Sequence, residues 1–211
     1  MSRRLPPTLV ALSPGGLAED DEAGIGRFSR ALARAVDAGL SGLLLREPAI
    51  GDRSFLELAR AARETLGTRG WLAVHDRPHL AEAAGADAVH LGFRSLPLVE
   101  ARSILDPRTA LGLSAHSRDA TEDWSGADYL VFGPVRDTPS KRGILEPTGF
   151  DGLARAVERS PAPVWAIGGL RPEDVRACLA AGSTGLAVLS GILPAEDPAR
   201  AAREYLATIP R

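Results

Sequence analysis

Five residues that can bind anions or move protons end or closely follow short apolar runs of this sequence: Arg46, His75, Asp76, Ser114 and His116. A guanidinium binds phosphate or carboxylate oxygens in a bidentate way. An imidazole can exchange a proton near neutral pH, and His116 lies two residues beyond Ser114. These residues predict a site for an anionic substrate, with His116 as the catalytic proton carrier; the alternative for His116 is a helix cap or an indirect supporting contact.

Small residues near the end of the chain predict a phosphate site. Gly168 and Gly169 follow one apolar run, and Leu189 and Ser190 end the next, with Gly191 after them. Backbone N–H groups at such places can approach an anion closely, above all at a helix start, which is what we expect at Ser190. We therefore predict that Gly168, Gly169, Leu189 and Ser190 bind phosphate.

Lys141 is the single lysine among 25 basic residues, and it ends the hydroxyl-rich segment Thr138-Pro-Ser140-Lys141. Because arginine is plainly available to this chain, a retained amine suggests a compact point charge for phosphate oxygens. The alternative is a surface lysine that has persisted by chance. Thr138, Ser140 and Lys141 are predicted to bind substrate, together with Arg46, His75, Asp76 and Ser114.

Two of these residues have open roles. Arg46 is expected to clamp a phosphate or carboxylate, or to pair with Glu47 or Asp76. Asp76 is expected either to bind Mg²⁺, which takes one carboxylate only when substrate phosphates supply further ligands, or to orient Arg77.

Short apolar runs alternate with helical patterns from end to end, which is typical of repeated βα units around a parallel sheet. An open doubly wound sheet shares this alternation, but about eight units in some 200 residues favour a (β/α)8 TIM barrel, an α/β fold. The carboxyl ends of the strands then meet at one mouth. The predicted strands are Thr8–Leu12, Gly42–Leu45, Trp71–His75, Ala88–Leu91, Ala110–Ser114, Tyr129–Phe132, Val164–Ile167 and Gly185–Val188.

The connections predict helices at Phe28–Ala38 and Phe55–Leu66, whose apolar residues share one face. Pro78 and Pro172 are placed to open helices, where a missing N–H is tolerated. The segment Gly133–Thr148 is too long for a plain turn and is interpreted as a functional loop. We expect residues 1–211 to form one barrel domain with a short arm at residues 1–7.

Composition restricts the class of partner. A net charge of −2 gives no basic field for nucleic acid or anionic membranes. No apolar run is long enough for a membrane span, and the first residues lack a signal-peptide pattern, so we expect a cytoplasmic protein with a small-molecule partner. The lone Cys178 is expected to be a buried helical thiol, and no Cys/His spacing resembles a zinc site. Homo-oligomer formation is left open.

The sequence resembles thiamine phosphate synthase and its TenI relatives from Leu43 to Ile192. The segments that carry the resemblance occur in the family's order: Leu44-Leu-Arg-Glu47, His75-Asp-Arg77, Gly85-Ala-Asp-Ala-Val-His-Leu-Gly92, Gly112-Leu-Ser-Ala-His-Ser117, Ala127-Asp-Tyr-Leu-Val-Phe-Gly-Pro134, Thr138-Pro-Ser-Lys141, Ala166-Ile-Gly-Gly169 and Ala187-Val-Leu-Ser-Gly191.

The resemblance implies a thiamine-biosynthesis enzyme of one of two kinds. A synthase condenses an aminopyrimidine diphosphate with thiazole phosphate and uses Mg²⁺; a TenI thiazole tautomerase aromatises a carboxythiazole phosphate with a catalytic histidine, which matches His116, and needs no metal. The sequence departs from the synthase pattern at three places: Pro48 replaces a lysine, His75 replaces an asparagine, and Phe93–Ser95 replaces a second magnesium carboxylate.

Because these departures remove diphosphate and metal contacts, the sequence favours the tautomerase. The synthase is the first alternative, with Asp76 as its metal ligand, and a non-catalytic regulator that binds a phosphorylated thiazole or thiamine phosphate is the second.

Overall fold

The computed structural model describes residues 3–138 and 143–210, in which eight parallel strands close into a barrel. Each strand pairs with the next, and the last strand pairs with the first through Leu9 opposite Leu186 and Ala11 opposite Val188. This closure confirms the predicted (β/α)8 fold and excludes the open sheet. The strands are β1 Leu9–Leu12, β2 Gly42–Leu45, β3 Trp71–His75, β4 Ala88–Leu91, β5 Ala110–Ala115, β6 Tyr129–Phe132, β7 Val164–Ile167 and β8 Gly185–Val188.

Helices cover the outside of the barrel. They are α1 Glu22–Asp37, α2 Asp52–Leu66, α3 Leu98–Ile104, α4 Gly149–Arg159, α5 Val175–Ala180 and α6 Pro198–Thr208. The connections after β3 and β5 hold single 3-10 turns instead, at Pro78–Leu80 and Thr121–Trp124, and another precedes α5 at Pro172–Asp174. Both predicted prolines therefore open short turns. None of the helices in the described ranges is long and apolar enough to cross a membrane.

Helix α1 begins earlier than the predicted start at Phe28. The side chain of Asp21 accepts a hydrogen bond from the Gly24 amide and so caps the first turn. Gly24 and Gly26 in that turn conceal the helical pattern in the sequence. Cys178 is buried in α5, as predicted, and burial raises the pKa of its thiol to about 12.

Strand alternation divides the core into two parts. Leu43 and Leu45 of β2 belong to the cluster shared with the helices, whereas Leu44 belongs to the cluster inside the barrel. Arg46 therefore follows on the inward side of β2, and His75 of β3 and His90 of β4 occupy inward positions by the same alternation. The strand register thus aims these polar residues at the upper barrel.

Aromatic rings close the lower end of the barrel. The Tyr129 ring lies edge-on to both Trp71 and Trp165, with centroids 5.8 Å apart in each pair. The space for this ring exists because position 112 is glycine: an added Cβ would lie 2.0 Å from the Tyr129 ring. Since the bottom is filled, the open space lies at the carboxyl ends of the strands.

Candidate active site

A cavity of about 250 Å³ opens at the carboxyl end of the barrel. Leu12, Leu44 and Val131 contribute apolar side chains from inside the barrel. The cavity brings together nine residues that the sequence predicts for the site: Arg46, His75, Ser114, His116, Thr138, Gly168, Gly169, Leu189 and Ser190. The predicted site residues Ser140 and Lys141 lie outside the described residues.

Gly168 and Gly169 form one wall of this cavity, with φ angles of 103° and 63°. Added Cβ atoms would lie 2.6 Å from the Cα of Pro134 and 2.3 Å from the carbonyl oxygen of Asp137. Both glycines are therefore required by left-handed backbone angles and by the close approach of the loop that follows β6. This wall offers backbone amides without side chains in front of them.

Ser190 lies beside that wall, but the prediction that it starts a helix is wrong. Residues 189–197 are bends and turns, and α6 begins only at Pro198, where the Asp197 side chain accepts a hydrogen bond from the Arg200 amide. Pro194 cannot donate a helical hydrogen bond and lies in this turn. Anion binding at Ser190 would therefore use loop amides and its hydroxyl, without a helix dipole.

A second cavity of about 410 Å³ adjoins the first. The two share four residues: Arg46, His75, Ser114 and His116. The remaining lining includes Asp76, Arg77 and Arg94. We call the first cavity the glycine lobe and the second the arginine lobe. Arg77 reaches the arginine lobe through loop geometry that the sequence pattern does not show.

Glu47 does not pair with Arg46, which corrects one predicted alternative. Glu47 is buried, with 1% of the residue exposed. Its two carboxylate oxygens accept hydrogen bonds from the backbone amides of Gly15 and Leu17, each at 2.9 Å. The Arg46 amide donates to the buried Ser13 hydroxyl at 2.7 Å. Glu47 thus fixes the loop after β1, which leaves the Arg46 guanidinium facing the mouth.

Asp76 does not orient Arg77 within the described part of the chain. Arg77 donates to the Ile50 carbonyl at 2.6 Å, pairs with Asp52 at 3.4 Å and stacks over the Phe55 ring at 4.1 Å. Its Nη1 atom is buried and has no hydrogen-bond partner among the described residues. Because this atom has almost no exposed surface, Arg77 contributes charge beside the arginine lobe without presenting its Nη1 to the cavity.

Asp76 itself is exposed in the arginine lobe and has a φ of 59°. A left-handed conformation is uncommon for residues other than glycine, although aspartate tolerates it better than most. Its amide donates to the His90 carbonyl at 3.0 Å, which continues the pairing of β3 with β4. Asp76 therefore directly follows β3, next to His75 at the boundary between the lobes.

Two histidines lie side by side at this boundary, with ring centroids 6.0 Å apart. Burial, helped by the Arg46 charge, lowers the pKa of His75 to about 4. Burial lowers the pKa of His90 to about 3, with a smaller contribution from His75. Both rings are neutral at neutral pH, so each presents one donor and one acceptor nitrogen.

His90, interpreted from the sequence as more structural than functional, lines the glycine lobe. Its Nε2 is 3.0 Å from the Ser114 hydroxyl and its Nδ1 is 3.3 Å from the Tyr129 hydroxyl. His90 therefore orients Ser114, which faces both lobes. The signal that identifies it is its inward position on β4, two residues after Ala88.

His116 lines both lobes, and its side chain is 15% exposed. Its amide donates to the Asp119 carboxylate at 2.6 Å, and the same oxygen is 3.6 Å from its Nδ1. The arrangement suits a group that accepts and returns a proton beside a bound ligand.

The acidic residues at this mouth do not form a metal cage. Within residues 3–138 and 143–210, no group of three or more His, Cys, Asp or Glu side chains could hold a metal ion. Both Glu47 oxygens are engaged by backbone amides, which leaves Asp76 as the carboxylate of the arginine lobe that is accessible. Asp76 fits Mg²⁺ only as one ligand among oxygens brought by a substrate.

A parallel barrel whose mouth combines backbone without side chains and several guanidinium groups is typical of barrel enzymes that act on phosphorylated substrates. The family model described as "Thiamine monophosphate synthase" matches residues 18–192. The chain belongs to this family, and it is an enzyme of thiamine biosynthesis.

Individual relatives agree with this assignment. A "Putative thiamine-phosphate synthase" of Geobacter sulfurreducens is 40% identical over 190 residues, which cover 86% of this chain and 88% of the relative. A "Thiamine-phosphate synthase" of Vibrio campbellii is 36% identical over 193 residues, covering 90% and 94%.

Solved structures give the same result for the fold. A "Thiamine phosphate pyrophosphorylase" from Pyrococcus furiosus is similar with a TM-score of 0.79 and 26% identity, over 95% of this chain and 94% of that one. A "3-Hexulose-6-Phosphate Synthase" at 17% identity, with a TM-score of 0.71 and coverage of 95% and 99%, shares the barrel alone.

Proposed function

We propose that this enzyme is a thiamine-phosphate synthase that joins an aminopyrimidine diphosphate to thiazole phosphate. The observation that carries the proposal is the pair of adjoining lobes with four shared residues. A tautomerase binds one phosphorylated ring, whereas a synthase must hold two substrates with their reacting atoms together. The names of the relatives favour the synthase as well.

The glycine lobe is suited to thiazole phosphate. Its inner wall includes Leu44, Val131 and Ile167, which offer an apolar surface for a flat ring. The amides around Gly168 and Gly169, which line the same cavity, are suited to bind the phosphate oxygens.

The arginine lobe is suited to the diphosphate. Arg46, Arg77 and Arg94 line it and supply positive charge, which Asp52 offsets in part at Arg77. Asp76 would hold Mg²⁺ jointly with diphosphate oxygens, and the ion would supply further neutralisation of the leaving group. Electrostatic contacts of this kind to a developing charge are each worth about 3 kcal/mol in other enzymes.

In the proposed reaction, the thiazole nitrogen forms a bond to the methylene carbon of the pyrimidine. The bond from that carbon to the diphosphate oxygen breaks, and its electron pair leaves with pyrophosphate. Arg46 lies at the shared boundary and would contact the leaving oxygens as charge develops there. The neutral His75 and Ser114 at the same boundary can hydrogen-bond the aminopyrimidine without adding charge.

The test supplies both substrates with Mg²⁺ and measures thiamine phosphate and pyrophosphate. We expect both products in equal amounts. Arg46→Ala should lower kcat/KM about 100-fold, which corresponds to about 3 kcal/mol of lost leaving-group stabilisation. Arg53→Ala is the matched control, because the side chain of Arg53 is 92% exposed on α2. Absence of both products from the parent protein would refute the synthase.

The tautomerase predicted from the sequence is the second candidate, favoured by the His116 and Asp119 pair in the mouth. If the protein is a tautomerase, the parent protein should aromatise carboxythiazole phosphate at a rate that a metal chelator does not change. His116→Ala should abolish this turnover while ligand binding persists, and His79→Ala, at an exposed position, should not. Binding of thiazole phosphate or thiamine phosphate with neither turnover would instead identify a regulator.

A further inference from the structure

The loop after β6 is joined to the loop that holds Gly168 and Gly169. The amide of Val135 donates to the Ile167 carbonyl at 2.9 Å, and the amide of Arg136 donates to the Gly168 carbonyl at 3.0 Å. The pairing of β6 with β7 therefore continues beyond the strand ends into the glycine lobe. Thr138, two residues further, lines that lobe.

The far end of the same loop returns to its beginning. Thr148 donates through its amide to the Pro134 carbonyl at 2.9 Å, and Gly149 donates to the Val135 carbonyl at 3.0 Å. Residues 134–135 are thus held between β7 on one side and the start of α4 on the other. The base of the loop is therefore fixed by backbone contacts on both sides.

The Arg136 side chain supplies a contact at that point. Its Nη2 and Nε lie 2.7 and 3.2 Å from one oxygen of Asp174, and its guanidinium stacks over the Phe150 ring at 4.7 Å. The other Asp174 oxygen accepts a hydrogen bond from the Arg171 amide at 3.0 Å. One buried carboxylate, whose side chain is 7% exposed, therefore ties the loop after β6 to the loop after β7.

Arg136 does not line either lobe, so it acts on a ligand only through the loops it holds. An added Cβ at Gly169 would meet the Cβ of Arg136 at 2.9 Å, which shows how closely the arginine backbone follows the glycine wall. A shift of the loop after β6 would move the carbonyl contacts that set the directions of the glycine amides. Small displacements of positioning groups are enough to change binding and rate substantially.

We propose that Arg136 is a positioning residue: with Asp174 and Phe150 it clamps the loop after β6 against Gly168 and Gly169, so that both loops contact one phosphate. The consequence for catalysis rests on the proposed function, because it takes that phosphate to be the one on the thiazole. The phosphate contact itself does not depend on the reaction.

The test measures binding of inorganic phosphate and of thiazole phosphate by calorimetry, and KM for each substrate. Arg136→Ala should lower the affinity for inorganic phosphate and for thiazole phosphate about tenfold. It should also raise KM for thiazole phosphate and leave KM for the aminopyrimidine diphosphate unchanged. Arg136→Lys should restore affinity only in part, because lysine keeps the charge and loses the planar fork and the stacking. Arg176→Ala, exposed on α5, is the control and should match the parent.

Asp174→Asn keeps an acceptor for the Arg171 amide and removes the charge, so it should reproduce the Arg136→Ala effect. If the two residues act as one unit, the variant that carries both Arg136→Ala and Asp174→Asn should bind phosphate as tightly as either single variant. Unchanged phosphate affinity in Arg136→Ala and Arg136→Lys would refute the proposed clamp. An equal rise in KM for both substrates would refute it as well, because it would indicate that the whole mouth of the barrel is less ordered. Because phosphate affinity needs no turnover, failure of the synthase activity leaves this test intact.

Discussion

Acidification should destabilise this protein in a way that can be assigned to two histidines, the partly buried His75 and the fully buried His90. The pKa of His75 is lowered from 6.5 to about 4 and that of His90 to about 3, chiefly by burial. Between these pKa values, the two histidines therefore bind protons in the unfolded chain and remain unprotonated in the folded chain. The stability they contribute is fully present above about pH 6.5 and is lost as the pH falls toward 4.

The size of the effect follows from these pKa values. Between pH 7 and pH 5, a histidine whose pKa drops from 6.5 to about 4 on folding loses about 2 kcal/mol of stability, and the one at about 3 loses nearly the same. Together they account for about 4 kcal/mol. That is a large share of the 5 to 15 kcal/mol typical of folded proteins.

The assay is urea denaturation at pH 7 and pH 5, followed by the fluorescence of Trp71, Trp124 and Trp165, which are all buried. His75→Asn replaces a titrating ring by a neutral side chain and should reduce the loss between the two pH values by about 2 kcal/mol. His79→Asn, at an exposed position, is the control and should leave the loss nearly as it is in the parent. An unchanged loss in His75→Asn would refute the argument that burial keeps this ring neutral.

Two further substitutions test the packing that positions the site, and both are measured by urea denaturation at pH 7. Gly112→Ala should destabilise the fold by about 3 kcal/mol, because its Cβ would lie 2.0 Å from the Tyr129 ring, while Gly16→Ala, with open space around it, should not. Glu47→Ala should lower the free energy of unfolding by about 2 to 4 kcal/mol, because it leaves two backbone amides unpaired. Glu47→Gln should lower it by about half of that, and Glu57→Ala, at an exposed position, should have little effect.

The strands were predictable because burial on both faces makes most of them nearly continuous apolar runs. Six strands have the predicted bounds, and β1 and β5 differ by one residue at one end. Helix starts were less predictable, since polar first turns such as Asp52–Ser54 carry no apolar signal and precede the predicted start at Phe55. The residues that line the mouth followed from strand ends, because all eight strands point the same way.

Contacts that depend on loop paths were not predictable. No spacing in the sequence indicates that Glu47 turns away from Arg46 to bind the amides of Gly15 and Leu17, or that Arg77 reaches over Phe55. The clamp between Arg136 and Asp174 joins residues 38 positions apart through two loops. Such contacts are set by the registers of neighbouring strands together with loop lengths, and the sequence pattern carries only the first of these.

The absence of Asn and Gln from this chain bears on how the mouth is charged. Where a side-chain amide would give a neutral donor and acceptor, the boundary between the lobes has His75, with His90 behind it bonded to Ser114. Burial and the Arg46 charge keep the His75 ring neutral, so it performs the role of an amide at neutral pH. Among the guanidinium groups of the arginine lobe, Arg77 is paired with Asp52, and the accessible carboxylate in the lobe is that of Asp76, since the Glu47 carboxylate is held by backbone amides. An excess of positive charge beside a neutral polar wall is the environment that a diphosphate leaving group requires.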